Sequence, residues 1–448
     1  MALAVTILIF AILIFGILKK VNLNILLLGE SLVILLFLTV TRGSVLGDAS
    51  TGNKLLDCFA YIANYLAGNI GGVVFSMAIV SAYVDMMKKL GATDTLASIL
   101  CRGVSKVKAR WLVLALVVLI STLLRTCITS GPAEVILLLA TFYPVMIRCG
   151  CSVGTACAAI LIPNAICWGP ADPIDLAASK LMGIEVNMTE WFVRYMLPVW
   201  AVIFVVAILV FVLSYKSFDR KKFQQAEGED AVDLTIRTPK LFALLPMLPL
   251  IIMLLFSPFL ISSVRIDING AVVVSVVIAM IVVALFKGKN AGITEMVTNF
   301  CVGLCDSFRT LGLTVLFAML FAGCLNTVGG MKIIADALMG LNMPPLVLVL
   351  VVCVFAWFIN VVVGSFVGSL SIAEPIAASV AAATGISAPL MCFLVVIACG
   401  AGCVCSPVNP MVMILSKKTD TMDLIKRAGL PIGAGVLAAT IFGVLVLA

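Results

Sequence analysis

The chain of 448 residues is 63% hydrophobic and only 11% charged, and its mean hydropathy is +1.25. This composition excludes a soluble protein, because apolar runs of about 17 to 25 residues, long enough to span a bilayer as helices, recur along the chain. The formal net charge of +7 does not indicate a nucleic-acid partner, since basic residues in membrane proteins chiefly report topology.

The first half of the chain, residues 1–215, contains five predicted spans and one hairpin. We expect the first span, residues 2–18, to be retained in the membrane, because it lacks the basic n-region and the cleavage site of a signal peptide. The other spans lie near residues 22–41, 68–87, 152–179 and 196–214, and an amphipathic segment at residues 51–66 precedes the third. The hairpin, with arms at residues 111–128 and 132–147, turns at Thr129-Ser130-Gly131.

A five-residue phrase breaks one span in each half of the chain. It reads Gly169-Pro-Ala-Asp-Pro173 in the first half and Ser406-Pro-Val-Asn-Pro410 in the second. Two prolines three residues apart end a helix, because each lacks a backbone donor and clashes with the preceding turn. Broken helices at membrane depth are tolerated only where they line a polar cavity or are buried in protein. A pair of them indicates a secondary transporter whose site lies between the breaks.

The second half of the chain repeats the first. At an offset of 237 residues, Asp172 corresponds to Asn409 and Lys180 corresponds to Lys417. The halves, residues 1–215 and 241–448, are joined by a polar stretch, residues 216–240, which we predict to be a solvated linker. Because each half has an odd number of spans, we predict that the second repeat is inverted relative to the first. Its hairpin is expected to turn within residues 364–371.

The distribution of Lys and Arg tests this layout. With the linker in the cytoplasm, 22 Lys and Arg residues fall on the cytoplasmic side and six fall on the other side. Such an excess is typical of cytoplasmic loops. We therefore predict that the linker is cytoplasmic and that both ends of the chain are outside. Arg125 is the one basic residue that this layout places within the membrane.

Small polar residues cluster at the hairpin tips and helix breaks, where half-helix N-termini suit an anion. Gly and Ser let the backbone approach a ligand closely, and a guanidinium binds a carboxylate through two hydrogen bonds. We predict substrate binding by Arg125, Thr129, Ser130, Gly131, Gly368, Ser369, Ser371, Ser406 and Asn409. Helix packing is the alternative role of the small residues. A structural ion pair with Glu134 or Asp172 is the alternative role of Arg125.

Acidic residues lie in or beside the first break, where an ionisable group is costly and usually functional. We predict that Asp172 and Asp175, together with Ser365, hold a coupling cation, either Na+ or H+, and that no other metal or cofactor takes part. A helix cap is the alternative role of Asp172. Ser371-Ile-Ala-Glu374 matches a capping box, and Pro132 and Glu134 suit the first and third positions of a helix, so both glutamates fit helix capping as well as they fit substrate or proton chemistry.

Several segments together resemble the anaerobic C4-dicarboxylate carrier family of the DcuC type, within the wider ion-transporter superfamily. The resemblance covers nearly the whole chain and rests on the central charged linker and on Leu90-Gly91-Ala92, Cys167-Trp-Gly-Pro-Ala-Asp-Pro173, Gly385-Ile-Ser387, Ser406-Pro-Val408 and Ile425-Lys-Arg-Ala-Gly-Leu-Pro431. It implies a carrier of succinate, fumarate, malate or related anions in the bacterial inner membrane, working by exchange, efflux or cation-coupled transport. The superfamily implies a lipid-embedded homodimer in which a moving elevator domain of hairpins and broken helices is interleaved with a fixed scaffold.

The second hairpin tip departs from this family. Family members have a Gly-Ser-Gly-Asn-type sequence there, whereas this chain has Gly364-Ser-Phe-Val-Gly-Ser-Leu-Ser371. Carriers of similar architecture take amino acids or gluconate, so an amino-acid or monocarboxylate carrier is the alternative function. An enzyme is a poor alternative, because the chain contains no histidine and no H-E-x-x-H motif. A channel is the other rival class, which single-channel currents would distinguish.

Overall fold

The computed structural model describes residues 8–9, 12–13, 15–16, 19, 21–128, 130–165, 169–170, 172–221, 238–256, 260–261, 266–287, 292–329, 340 and 343–448. Within these ranges the chain is helical and has no strands. Nine of the described helices are long and apolar enough to cross a membrane, or ten if one bent pair counts as a single span. The predicted all-α membrane fold is therefore confirmed. Most of the predicted first span, residues 2–18, lies outside the described ranges.

Nine helices of nine or more residues, together with the short helix Met188–Trp191, have their bounds within the described part of the chain up to residue 221. The nine longer helices are α1 Leu23–Arg42, α2 Lys54–Asn69, α3 Phe75–Lys89, α4 Ala92–Val104, α5 Arg110–Arg125, α6 Gly131–Arg148, α7 Val153–Leu161, α8 Pro173–Leu181 and α9 Leu197–Lys221. The predicted amphipathic segment corresponds to α2, which meets α3 at a bend of 46°. Helix α9 continues to Lys221, so the beginning of the predicted linker is helical. Residues 222–237 of the linker lie outside the described ranges.

The second half follows the same sequence of elements. Its helices are α10 Leu248–Leu255, α11 Ile268–Lys287, α12 Ile293–Ser307, α13 Leu313–Val328, α14 Pro345–Val363, α15 Phe366–Thr384, α16 Ala388–Cys405, α17 Pro410–Leu415 and α18 Thr421–Phe442. A π-helical turn, Phe308–Gly312, joins α12 to α13. The predicted amphipathic segment and third span of this half therefore form one continuous helix, Ile293–Leu325.

Both predicted helix breaks are present, and their second halves begin in the same way. The Asp172 side chain caps α8 by accepting a hydrogen bond of 2.8 Å from the Ile174 N–H. Asn409 caps α17 by accepting one of 3.0 Å from the Met411 N–H. A proline follows each cap at the first helical position, where its fixed φ suits the helix and its missing donor is not needed. The repeated phrase thus ends one half-helix and starts the next.

The second hairpin turns earlier and more tightly than predicted. Helix α14 ends at Val363, Gly364 has a left-handed φ of +67°, and Ser365 caps α15. Gly368, Ser369 and Ser371 therefore lie in the first turns of α15 and not in the turn of the hairpin.

The interpretation of Ser371 and Glu374 as a capping box is wrong, because both lie inside α15. The Ser371 hydroxyl instead donates to the Gly368 carbonyl at 2.7 Å. A capping box needs its serine at the first, non-helical position, which Ser365 occupies here.

Helices from the two halves pack together throughout the fold. Helix α1 packs on α13, α3 packs on α12, and α9 runs along α18. Within the second half, α14 packs on α16, where the buried Asn360 amide donates to the Cys399 carbonyl at 2.6 Å. Among the described apolar spans, α15 and the second broken span are the most buried, at 72% and 83%, whereas the hairpin arm α14 is 39% buried.

A buried ionic cluster also links the two halves. Arg427 of α18 is 1% exposed, and its Nη1 lies 2.6 Å from Asp219 Oδ1 at the end of α9. The same nitrogen donates to the Thr155 hydroxyl of α7 at 2.8 Å, while Nε donates to Asp423 at 2.8 Å. Ser152 Oγ donates to Asp219 as well. The cluster therefore joins the start of the first broken span to the last helix.

Candidate functional site

A cavity of about 500 Å³, here called the central cavity, lies where the hairpin tips and helix breaks meet. One wall of the cavity is formed by the hairpin tips and helix breaks of both halves of the chain. Its residues include Arg125, Ser130, Gly131, Asn164, Pro173, Ile174, Phe366, Cys403, Asn409 and Met411. A cavity of this size is typical of small-molecule sites. The two helix breaks, which were predicted to form one site, both contribute residues to this cavity.

Three helices of nine or more residues begin at this cavity, and the six-residue helix α17 begins there too, at Asn409. Ser130 and Gly131 open α6, Ile174 lies in the first turn of α8, and Phe366 is the first residue of α15. The first N–H groups of a helix have no partner within it, and the helix dipole adds partial positive charge there. The starts of α6 and α15 favour an anion, whereas the Asp172 carboxylate already accepts from the Ile174 N–H at the start of α8.

Arg125 brings a full positive charge to the cavity. It is 4% exposed, its Nη1 donates to the Ile128 carbonyl at 2.5 Å, and its Nε lies 3.8 Å from Glu134 Oε2. Arg125 lines the cavity, which its predicted role in substrate binding requires, and it also forms the ion pair with Glu134 that was the alternative role. The carbonyl contact holds the guanidinium beside the first hairpin tip.

The hairpin tips press directly against the breaks. A Cβ added at Gly131 would overlap Met411 Sδ and approach Asn164 Oδ1 to 3.1 Å. A Cβ added at Gly364 would lie 2.7 Å from Val408 Cγ2. Glycine is needed at both tips because the backbone approaches its neighbours so closely.

Hydrogen bonds fasten the second tip to the second break. The Ser406 hydroxyl donates to the Val361 carbonyl at 2.8 Å, and the Asn409 amide donates to the Gly364 carbonyl at 3.4 Å. Ser406 therefore joins the break to the hairpin, whereas Asn409 takes part in this contact and also lines the cavity.

The opposite wall of the cavity is polar and partly acidic. Ser81 and Asp85 lie one turn apart on the same face of α3, and Asp306 and Ser307 end α12. Neither these residues nor Asn164 were predicted from the sequence. Two sequence features could have indicated them. One is a serine and an aspartate four residues apart in an apolar span, and the other is an asparagine directly after a proline in the first broken span.

The predicted substrate residues fall into three groups. Those that line the cavity are Arg125, Ser130, Gly131 and Asn409. Those that are buried elsewhere are Gly368, Ser369, Ser371 and Ser406, whose three hydroxyls donate to backbone carbonyls. Thr129 lies outside the described residues. Of the predicted cation residues, Ser365 and Asp172 are helix caps.

Buried carboxyl groups lie behind the cavity. Asp175, Glu134 and Glu374 are each fully buried. Asp175 lies close enough to Asp172, Arg125 and Glu374 for their charges to interact. Neither Asp175 nor Glu374 accepts a hydrogen bond from an N–H or O–H group of the described residues.

Comparison with known proteins identifies the family. The whole chain, residues 1–448, matches the DcuC family of C4-dicarboxylate anaerobic carriers. The chain belongs to the DcuC family. The probable anaerobic C4-dicarboxylate transporter DcuC of Vibrio cholerae is 25% identical over 403 residues, which cover 89% of this chain and 87% of that protein. The anaerobic C4-dicarboxylate transporter DcuC of Escherichia coli K12 is 21% identical over 392 residues, which cover 87% and 84%.

Two solved transporter structures share the fold. The YdaH transporter of Alcanivorax borkumensis aligns with a TM-score of 0.63 at 14% identity, covering 94% of this chain and 97% of that one. MtrF of Neisseria gonorrhoeae aligns with a TM-score of 0.56 at 14% identity, covering 87% and 85%. The predicted family is confirmed, and with it the prediction of a membrane transporter that is not an enzyme.

Proposed function

We propose that this DcuC-family protein is a secondary active transporter of C4-dicarboxylates such as succinate, fumarate and malate in the bacterial inner membrane. The observation that carries the proposal is the meeting of Arg125 with the starts of α6 and α15 at one cavity. A dicarboxylate needs donors for two carboxylates. Arg125 with the start of α6 supplies one set, and the start of α15 supplies another. The relatives' names, anaerobic C4-dicarboxylate transporters, point to the same substrates.

Transport proceeds in this proposal by an elevator movement within a homodimer. The hairpins and broken helices α5 to α8 and α14 to α17 form the moving part, interleaved with a scaffold that includes α3 and α12. The two halves are inverted repeats, and the linker from residue 216 to residue 240 lies in the cytoplasm. Support comes from the position of the cavity, because its two walls belong to these two groups of helices. A shift of one group past the other changes the side from which the cavity is open.

The coupling ion in this proposal is Na+ or H+, held near the first break. Asp172 and Asp175 are the acidic groups there, and Ser365 caps the helix that faces them. Burial of a carboxylate in a membrane protein is costly unless it has such a role or a partner. Exchange of one substrate for another needs no ion, so ion-driven accumulation is the activity that involves these residues.

An amino-acid carrier is the second candidate, because Asp85 and Asp306 line the cavity opposite Arg125. Carboxylates on this wall suit the ammonium group of a substrate that carries both charges.

Counterflow in proteoliposomes distinguishes the two functions. Vesicles loaded with unlabelled succinate are expected to take up labelled succinate, with competition from fumarate and malate and none from gluconate or ornithine. Arg125→Met is expected to abolish counterflow, since it removes the charge and keeps much of the volume. Counterflow of ornithine without that of succinate would establish the amino-acid carrier instead.

A further inference from the structure

Two cavities lie toward opposite ends of α8 and α15. The central cavity meets the beginning of each helix at Ile174 and Phe366. A second cavity, of about 210 Å³, meets the same helices farther along, at Leu181 and Ala378. At the rise of an α-helix, Ile174 and Leu181 are separated by about 10 Å along the axis of α8. Protein fills this short interval.

Two carboxyl groups lie along α8 and α15 between the residues that line the two cavities. Asp175 directly follows Ile174, which lines the central cavity, and Glu374 directly precedes Pro375, which lines the second cavity. Both residues are fully buried. Helices α8 and α15 pack on each other, and the two carboxyl groups are close enough to interact electrostatically.

Neither carboxyl group caps a helix through a hydrogen bond, and Asp175 lies in the first turn of α8, where its negative charge suits the helix dipole. Glu374 lies in the middle of α15, far from its caps, and Asp172 rather than Asp175 caps α8. No N–H or O–H group of the described residues donates to either carboxyl. The thiol of Cys392 faces Glu374. The proline that follows Glu374 has no N–H, so it leaves the Ser371 carbonyl without its usual helical donor.

Few charges surround the pair. The ionisable groups that face it from the packed helices are Arg125, Asp172, Cys353, Cys392 and Cys399. Of these, only Arg125 is basic, and it already interacts with Glu134 and the Ile128 carbonyl. Two buried carboxylates whose charges interact repel each other and lose their hydration, and protonation of one of them relieves both effects.

We propose that Asp175 and Glu374 form a proton-binding pair that passes a proton between the two cavities during transport. A proton from water in one cavity forms an O–H bond with one carboxylate, transfers to the other, and leaves to water in the second cavity. The proposal rests on the proposed carrier function and names its coupling ion as H+. It also gives a role to Glu374, a residue in the second half of the chain that lies outside both five-residue phrases.

The test compares exchange with accumulation in proteoliposomes. Succinate counterflow is measured first, and then uptake of labelled succinate is driven by a pH gradient in the absence of Na+, with a pH-sensitive dye trapped inside. One coupled proton supports up to about tenfold accumulation for a gradient of about one pH unit. Glu374→Gln and Asp175→Asn are each expected to retain counterflow and to lose both accumulation and the dye signal. Glu374→Asp is expected to restore part of the accumulation.

Glu30→Gln is the matched control. Glu30 is another buried carboxyl of a membrane helix without a hydrogen-bond partner among the described residues, but unlike Asp175 and Glu374 it does not adjoin in the chain a residue that lines either cavity. This variant is expected to accumulate succinate as the unmodified protein does. Glu374→Gln protein that still accumulates succinate with the pH gradient would overturn the proposal. Equal loss of counterflow and accumulation would also overturn it, because that result indicates a structural role.

Two further measurements cover the remaining outcomes. If the amide variants do not fold, the unmodified protein is treated with dicyclohexylcarbodiimide, which modifies protonated carboxyl groups in apolar surroundings. Modification of Asp175 or Glu374, mapped by mass spectrometry, is the expected result, and its absence at both residues would refute the pair. If the unmodified protein shows no succinate counterflow, the dicarboxylate function is wrong. Counterflow without proton-driven accumulation refutes the proton pair alone.

Discussion

Replacement of Gly364 by alanine tests how tightly the second hairpin tip fits the second helix break. Gly364 has a φ of +67°, and an added Cβ would lie 2.7 Å from Val408 Cγ2. A left-handed conformation costs an alanine about 1–2 kcal/mol, and overpacking adds about 1–3 kcal/mol. We therefore expect Gly364→Ala to lower the free energy of unfolding by about 2–5 kcal/mol in total.

Gly385→Ala separates these two contributions. Gly385 ends the same helix, α15, with a φ of +74°, but a Cβ there would meet no atom within 4 Å. This variant is expected to lose only the conformational part, about 1–2 kcal/mol. Unfolding by titration with SDS in mixed micelles measures the difference between the two variants.

A double variant identifies the contact. Val408 is half exposed, so Val408→Ala alone is expected to change the free energy of unfolding by no more than about 0.5 kcal/mol. Combined with Gly364→Ala, it is expected to recover about 1–3 kcal/mol by removing the overlapping methyl group. Equal losses for Gly364→Ala and Gly385→Ala, or no recovery in the double variant, would refute the close fit of tip and break.

Three other predictions concern topology, the cavity and coupling. A reporter fused after Ala448 is expected to be periplasmic, because 22 of the assigned Lys and Arg residues lie on the linker side; a cytoplasmic reporter signal would contradict the inverted layout. Ser130→Phe is expected to block succinate counterflow while leaving folded protein in the membrane, because Ser130 lines the central cavity; normal counterflow would remove the first tip from the site. Asp172→Asn is expected to preserve counterflow, since Asn409 caps its helix in the same way, and to weaken ion-driven accumulation. Unchanged accumulation across a series of sodium concentrations and pH values would restrict Asp172 to its role as a cap.

The helix breaks were predictable from the sequence because their cause is local. Proline ends a helix wherever it occurs in the interior, and an Asx residue before a proline starts the next one. The second hairpin tip was harder to place. Gly364, Gly368 and Ser369 are all suited to a turn, and only the left-handed φ at Gly364 shows which of them ends the first arm.

The lining of the cavity depended on contacts that no local pattern contains. Ser81 of α3 meets the site only because α3 packs on α12, which follows it by more than 200 residues. Ser369 and Ser371 resemble site residues in the sequence, but their hydroxyls satisfy carbonyls of their own helix. A serine in a membrane helix can either face a binding site or donate to a carbonyl of its own helix, and the direction of its side chain decides between the two.

The cluster around Arg427 bears on how the protein is made. Its guanidinium reaches Asp219 and Thr155, which precede it by 208 and 272 residues. Since the chain emerges from the ribosome N-terminus first, these partners enter the membrane long before the arginine exists. The end of α9 and the start of α7 therefore stay incomplete until α18 has been inserted. The cluster therefore forms only after the last helix is present, and α18 completes contacts that begin in the first half of the chain.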